Sequence, residues 1–301
     1  MTRGRFLAVT LGLGAAMAVA SFFGGTVGSM IAGRSPVGFL AVDSPHVELP
    51  PGHLFGPIFV TNTLLATWLS CAVILVVFLH AARRAQPVPA GIQNPIEYAC
   101  EFATGFLEDM VGSEQERRFF PIVMTVFLFV LVNAWFGLLP GFDSLTLNGI
   151  PVFRSANTDI NVPLMLAIVC VASIEFWGFR ARGLSYLKTF FNFHQLFSGI
   201  RKLVRGEVRD GSVGLFFGIL YVFVGLLEFL AHATRLMSFS FRLFGNMTSG
   251  VVLTGVALFF VPLVLPSVFY ALEALFGVVQ ALVFAGLTAV FGSVAVSVPE
   301  H

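Results

Sequence analysis

Charge is what this sequence of 301 residues has least of: 11% of its side chains are charged, against about 25% in an ordinary soluble domain. Together with 57% hydrophobic residues and a mean hydropathy of +0.90, that scarcity excludes a soluble globular fold. Lys and Arg number 17 and Asp and Glu 16, a net charge of +1, so no field of one sign exists to draw nucleic acid or an acidic macromolecule. Cysteine is scarce as well. Cys71 and Cys170 fall inside apolar runs and Cys100 in a mixed stretch, so neither a disulfide framework nor a metal-ligand spacing emerges. No nucleophile motif, phosphate loop or His/Asp/Glu metal cluster is present, so neither a cofactor nor catalysis by this chain alone is expected. Internal repeats are not evident, which weakens an inverted-repeat transporter reading.

What the chain does have is apolar length. Phe6 to Gly33, Pro57 to Leu79 and Phe119 to Phe142 contain no Asp, Glu, Lys or Arg, and each is long enough to cross a hydrocarbon core of about 30 Å as a helix. The expected fold is therefore an all-α polytopic membrane protein. Arg3 and Arg5 precede the first run, and His80, Arg83 and Arg84 close the second. With both basic clusters cytoplasmic, residues 34–56 lie on the outer side. The first run also has the features of a signal peptide, with Ala18-Val19-Ala20 as its cleavage site. Residues 1–56 are accordingly read as an N-terminal apolar helix or signal peptide with an outer-side segment, and residues 57–301 as the membrane domain.

From Val88 to Arg118 apolar residues at near-helical spacing alternate with Glu97, Glu101, Glu108 and Asp109, which suits a helix lying on the cytoplasmic surface. Phe119 to Phe142 leads outward and Ile160 to Phe179 returns. Arg180, Arg182, Lys188, Arg201, Lys202, Arg205 and Arg209 then mark the cytoplasmic side. Residues 212–261 contain no proline. As a single helix they would be about 75 Å long, so they either break in two or lie strongly tilted. With Pro262 to Val298 they form an expected final hairpin of long, tilted membrane helices.

These last two segments hold Glu228, His232, Arg235, Arg242, Asn246, Glu273 and Gln280. A charge at bilayer depth costs at least about 2.5–3.5 kcal/mol, so each is a functional candidate. Glu228 and His232 are four residues apart, as are Arg242 and Asn246, and Glu273 and Gln280 are seven apart; each pair shares a helical face. Arginine stays protonated, so it cannot easily relay a proton, but it discharges a passing carboxylic acid by favouring the ionised form. Gly245, Ser249, Gly250 and Gly255 near Arg242 would admit a closely approaching helix. Structural readings stand beside these: Arg235 as a snorkelling anchor, Glu175 as a group near the cytoplasmic end of its helix, His232 as a packing residue, and Arg242 as the partner of an internal carboxylate.

Ser238-Phe239-Ser240-Phe241-Arg242-Leu243-Phe244-Gly245-Asn246-Met247 closely resembles the signature of the subunit a family of F-type ATP synthases, the stationary half of a rotary proton motor. Thr61-Asn62-Thr63, Val88-Pro89-Ala90-Gly91-Ile92-Gln93-Asn94, Arg118-Phe119-Phe120-Pro121, Asn133 with Gly137-Leu138-Leu139-Pro140, Asp159-Ile160-Asn161, and Gln280 followed by Leu287-Thr288 resemble it too. The resemblance implies that Arg242 is the family's essential arginine facing each rotor carboxyl. It further implies that Asn246 and Gln280 are its polar neighbours, that Glu228 and Ser238 belong to the cytoplasmic half-channel, and that Asp159 and Asn161 lie near the outer mouth. Many bacterial members carry an acid where this chain has Val251 and a histidine where it has Glu273; mitochondrial members carry an acid at the second place, so Glu273 is the expected outer relay.

The expected partners are the ring of c subunits, the peripheral-stalk b subunits, the soluble ATPase head through that stalk, and membrane lipid. The expected setting is the bacterial plasma (inner) membrane. A secondary transporter with a charged midplane site is the alternative, and a membrane enzyme a weaker one.

Overall fold

The computed structural model describes residues 3–35, 37–40, 51–54, 60–83, 86, 91, 93–139, 142, 145–147, 149–186, 197–198, 200–201 and 208–297. Arg84, Val88, Pro89, Ala90, Ile92, Pro140, Lys188, Lys202 and Arg205, singled out in the sequence, lie outside the described residues. The helices are α1 (Arg3–Gly24), α2 (Thr26–Ile31), α3 (Asn62–Arg83), α4 (Gln93–Val111), α5 (Ser113–Phe136), α6 (Asn161–Arg182), α7 (Val208–Phe260) and α8 (Leu265–Val296). A two-stranded antiparallel ribbon pairs β1 (Thr146–Leu147) with β2 (Ile150–Pro151). Among the described residues five segments are long and apolar enough to cross a membrane: Asn62–Arg83, Ser113–Phe136, Asn161–Arg182, Ser212–Phe260 and Leu265–Val296. The chain is a multi-pass, all-α membrane protein, as its apolar runs require.

Local chemistry sets the breaks. The first apolar run does not continue as one helix but stops at Gly24, because Gly25 is extended (φ −78°, ψ 179°) before α2 begins. A β-carbon at Gly25 would lie 2.7 Å from the Ser21 carbonyl oxygen and 3.2 Å from Pro262 Cδ. α4 is the amphipathic segment read as a surface helix; Gly112, at φ +82°, separates it from α5. A left-handed residue is cheap only for glycine, which ends one helix and lets the next start at Ser113. α7 is unbroken over 53 residues. At 1.5 Å per residue it is about 80 Å long, so of the two alternatives for residues 212–261 the continuous helix is correct, and it cannot stand upright in a bilayer core of about 30 Å.

The chain forms two compact units. One comprises residues 1–84, 127–162 and 242–282, and the other residues 85–126, 163–241 and 283–301. In the first, Ser70 donates to Asn133 Oδ1 at 2.8 Å, and Asn133 Nδ2 donates to the Phe129 carbonyl at 2.9 Å. Asn133 is 1% exposed, so its polar ends are satisfied within α3 and α5. The Ser21 hydroxyl accepts from the Leu263 backbone N–H at 3.0 Å and ties α1 to the turn between α7 and α8. In the second unit, Phe119 and Trp177 pack with ring centroids 4.3 Å apart, and Phe239 and Phe284 at 5.0 Å. Gly292 admits Trp177: a β-carbon there would meet the indole at 2.8 Å. Gly286 sits against Met110 and Phe106 of α4 in the same way, at 3.2 Å.

Candidate functional site

In the first unit, α7 and α8 run antiparallel with their polar groups matched. Asn246 Nδ2 donates to Gln280 Oε1 at 2.6 Å. Gln280 is 3% exposed, and its buried Nε2 has no hydrogen-bond partner among the described residues. A buried donor of that kind calls for water or an approaching acceptor. Two turns from Gln280, Glu273 Oε2 accepts from Thr254 at 3.3 Å. Its other oxygen lies over Gly250, where a β-carbon would come within 2.7 Å. Helix α5 supports this part of α8: Trp135 Nε1 donates to the Ala274 carbonyl at 3.3 Å, and a β-carbon on Gly277 would touch Ala134 at 2.9 Å.

Asp159 and Asn161 stand at the start of α6. Asp159 Oδ1 accepts from the Asn161 backbone N–H at 3.1 Å and from Asn161 Nδ2 at 2.9 Å, an Asx turn that opens the helix. Its Oδ2 accepts from Thr63 at 2.8 Å, which fastens α6 to the beginning of α3. These bonds go to each other and to Thr63, not to Glu273 or Gln280. Asp159 is 4% exposed.

Ser238, Arg242, Gly245, Asn246 and Ser249 recur at helical spacing on α7, and all five are exposed. The residues between them, Phe239, Leu243 and Met247, are 3%, 0% and 3% exposed and face inward. One side of α7 is thus packed, and the other presents a stripe of small and polar groups with Arg242 as its charge. Val251 is exposed next to Gly250.

The second unit holds the other charges. His232 Nδ1 lies 2.9 Å from the Glu228 backbone carbonyl and 3.8 Å from Glu228 Oε1. His232 Nε2 lies 3.0 Å from Glu175 Oε1 on α6 and 3.4 Å from Arg235 Nη1. The guanidinium of Arg235 covers the Phe291 ring at 4.3 Å, a cation–π contact. A cavity of about 330 Å³ is lined by Glu228, His232, Arg235, Arg182, Tyr186 and the end of α8. Tyr186 hydrogen-bonds Glu175, and burial first, then the charge of Glu175, pushes its phenol far above the ordinary range. The sequence read Glu175 as a group near a helix end. The structure makes it the partner of His232, and the available signal was a carboxylate seven residues before the basic end of an apolar helix. Thr254 was also missed, since a threonine in an apolar helix carries no signal of its own.

Among the described residues no group of three His, Cys, Asp or Glu side chains could hold a metal ion. The family model described as "ATP synthase A chain" matches residues 64–293. ATP synthase subunit a of Gloeobacter violaceus is 32% identical over 249 residues, covering 82% of this chain and 87% of the relative. A match of that extent, running through both units, means that the chain belongs to the ATP synthase A chain family.

Proposed function

We propose that this protein is the stationary, ion-conducting subunit of an F-type ATP synthase, working in the bacterial inner membrane without a catalytic site of its own. The observation that carries this reading is the exposed stripe of α7, where Arg242 stands among Ser238, Gly245, Asn246 and Ser249 on a long and mostly apolar helix. The stripe suits a rotor helix passing at close range. The partners are the c-subunit ring on that face, the peripheral-stalk b subunits, and the soluble ATPase head held through the stalk.

A proton comes in from the outer side past Asp159 and Asn161, is relayed by Glu273, and passes Gln280 and Asn246 to neutralise a rotor carboxylate. The neutral acid faces lipid at tolerable cost and the ring turns. On completing its circuit the acid reaches the cytoplasmic route at Ser238, Glu228 and His232. There the fixed charge of Arg242 favours ionisation, and the proton leaves. Two offset half-channels are required, because a continuous path would dissipate the gradient without torque. A potential of 100 mV supplies about 2.3 kcal/mol per proton, so several protons are coupled to each ATP. The buried donor of Gln280 supports a wet outer route, and the cavity beside Glu228 a wet inner one. The solute-transporter alternative has no observation in its favour beyond the membrane charges themselves.

Affinity purification from solubilised membranes tests the assembly. A ring of small hairpin subunits and a soluble ATPase are expected with the chain, and the ATPase should turn over without sodium. A lone chain that carries a solute would overturn the reading.

A further inference from the structure

The contact between Glu175 and His232 is not required by the mechanism above, and its geometry is specific. The Glu228 backbone carbonyl can only accept, so His232 Nδ1, 2.9 Å away, carries a hydrogen. The proton in question is therefore the one at Nε2, which faces Glu175 Oε1 at 3.0 Å. Either an imidazolium donates to a carboxylate, or a carboxylic acid donates to a neutral imidazole. The two states differ by one proton held between atoms 3.0 Å apart, and the buried Glu175 Oε1 has no well-aligned hydrogen-bond donor among the described residues. The side chains of His232 and Glu175 are 14% and 25% exposed, and Glu228, at 40%, opens into the same cavity as His232.

We propose that Glu175 and His232 form a one-proton couple that exchanges protons between Glu228 and cytoplasmic water. The proposal rests on the half-channel reading and deepens it by adding a carboxylate on α6 to a route otherwise built on α7. During synthesis Glu228 gives up its proton through cavity water. The O–H bond of the hydrated proton breaks, the Nε2 lone pair forms the new N–H bond, and Glu175 stays ionised beside it. The proton then leaves through Glu175 to bulk water, restoring neutral imidazole and carboxylate. During ATP-driven pumping the same steps run backwards, and the couple gathers protons from the cytoplasm.

Among the described residues, the charged and titratable groups around the couple are Glu228 and Arg235 on α7, Arg182 at the end of α6, and Tyr186 just beyond it. α8 contributes Phe291, Val294 and Ala295 to the cavity lining, and Ser297 follows its end; none of these titrates. Arg235 Nη1 lies 3.4 Å from Nε2, on the same face of α7 as His232.

The test is ATP-driven proton pumping by inverted vesicles, whose bath sets the cytoplasmic pH, with rates taken per assembled complex. Protons are scarce in alkali, where collecting them matters most. Glu175→Gln should lower pumping about tenfold near pH 8.5 and leave it close to wild type near pH 6.5. His232→Gln, which also takes a residue out of the cytoplasmic route, should lose at least as much near pH 8.5, and adding Glu175→Gln to it should cost nothing further there, since the two act as one unit. Rates equal to wild type at both pH values would overturn the proposal. An even loss at both, the sign of a structural ion pair, would also overturn it. Arg242→Ala separates the two readings: if it is inactive while the Glu175 and His232 variants match wild type, only the couple fails. If Arg242→Ala pumps normally, the half-channel reading fails with it.

Discussion

Glu273 owes its position to a residue without a side chain. Its carboxylate lies where a β-carbon on Gly250 would come within 2.7 Å of Oε1 and 2.9 Å of Cδ. Gly250→Ala must push that carboxylate aside, which a flexible side chain allows. The subunit should therefore assemble normally while passive proton flux through ATPase-stripped vesicles falls several-fold. Glu273→Gln keeps the shape and removes the exchangeable proton, so the same flux should fall by about tenfold or more. Val251→Glu places an acid one residue from Gly250 and should restore part of the flux to the Glu273→Gln variant; no recovery would mean that the two positions do not share a route. Single charges in apolar helices were conspicuous in the sequence, which is why Glu228, Arg242 and Glu273 stood out. Their partners were not, because the pairing of Glu175 with His232 and of Thr254 with Glu273 depends on how separate helices pack.

Elements were legible wherever composition set them. Apolar length placed α3, α5, α6 and α8, while their ends moved by a few residues because caps and left-handed glycines decide them. The start of α6 shows how. Asp159 makes three hydrogen bonds, two opening the helix and one holding it to Thr63. Asp159→Ala removes them all and should destabilise this corner by about 1–2 kcal/mol, read as less assembled subunit in membranes. Asp159→Asn, which keeps one acceptor oxygen for the start of α6 and turns an amide donor toward the Thr63 hydroxyl oxygen, should recover most of the assembled amount. The continuity of α7 could not be settled from hydropathy, because a broken and an unbroken helix have the same apolar content. In the second half of α7, contacts to α8 run from Arg235 over Phe291 to Thr254 against Glu273.

At the scale of the whole molecule, scarce charge turns into function through its exceptions. Most charged residues mark the loops and surface helix, and the few that remain in α6, α7 and α8 gather into an acid and amide group in one unit and an acid, base and cavity group in the other. Arg242 belongs to the exposed stripe of α7, where the proposed exchange with a moving partner takes place. That role is read out by ATP synthesis in vesicles under an imposed proton gradient, comparing wild type with Arg242→Ala at equal amounts of assembled complex. In the variant, synthesis should be abolished while assembly persists. Synthesis at the wild-type rate would refute the proposed role.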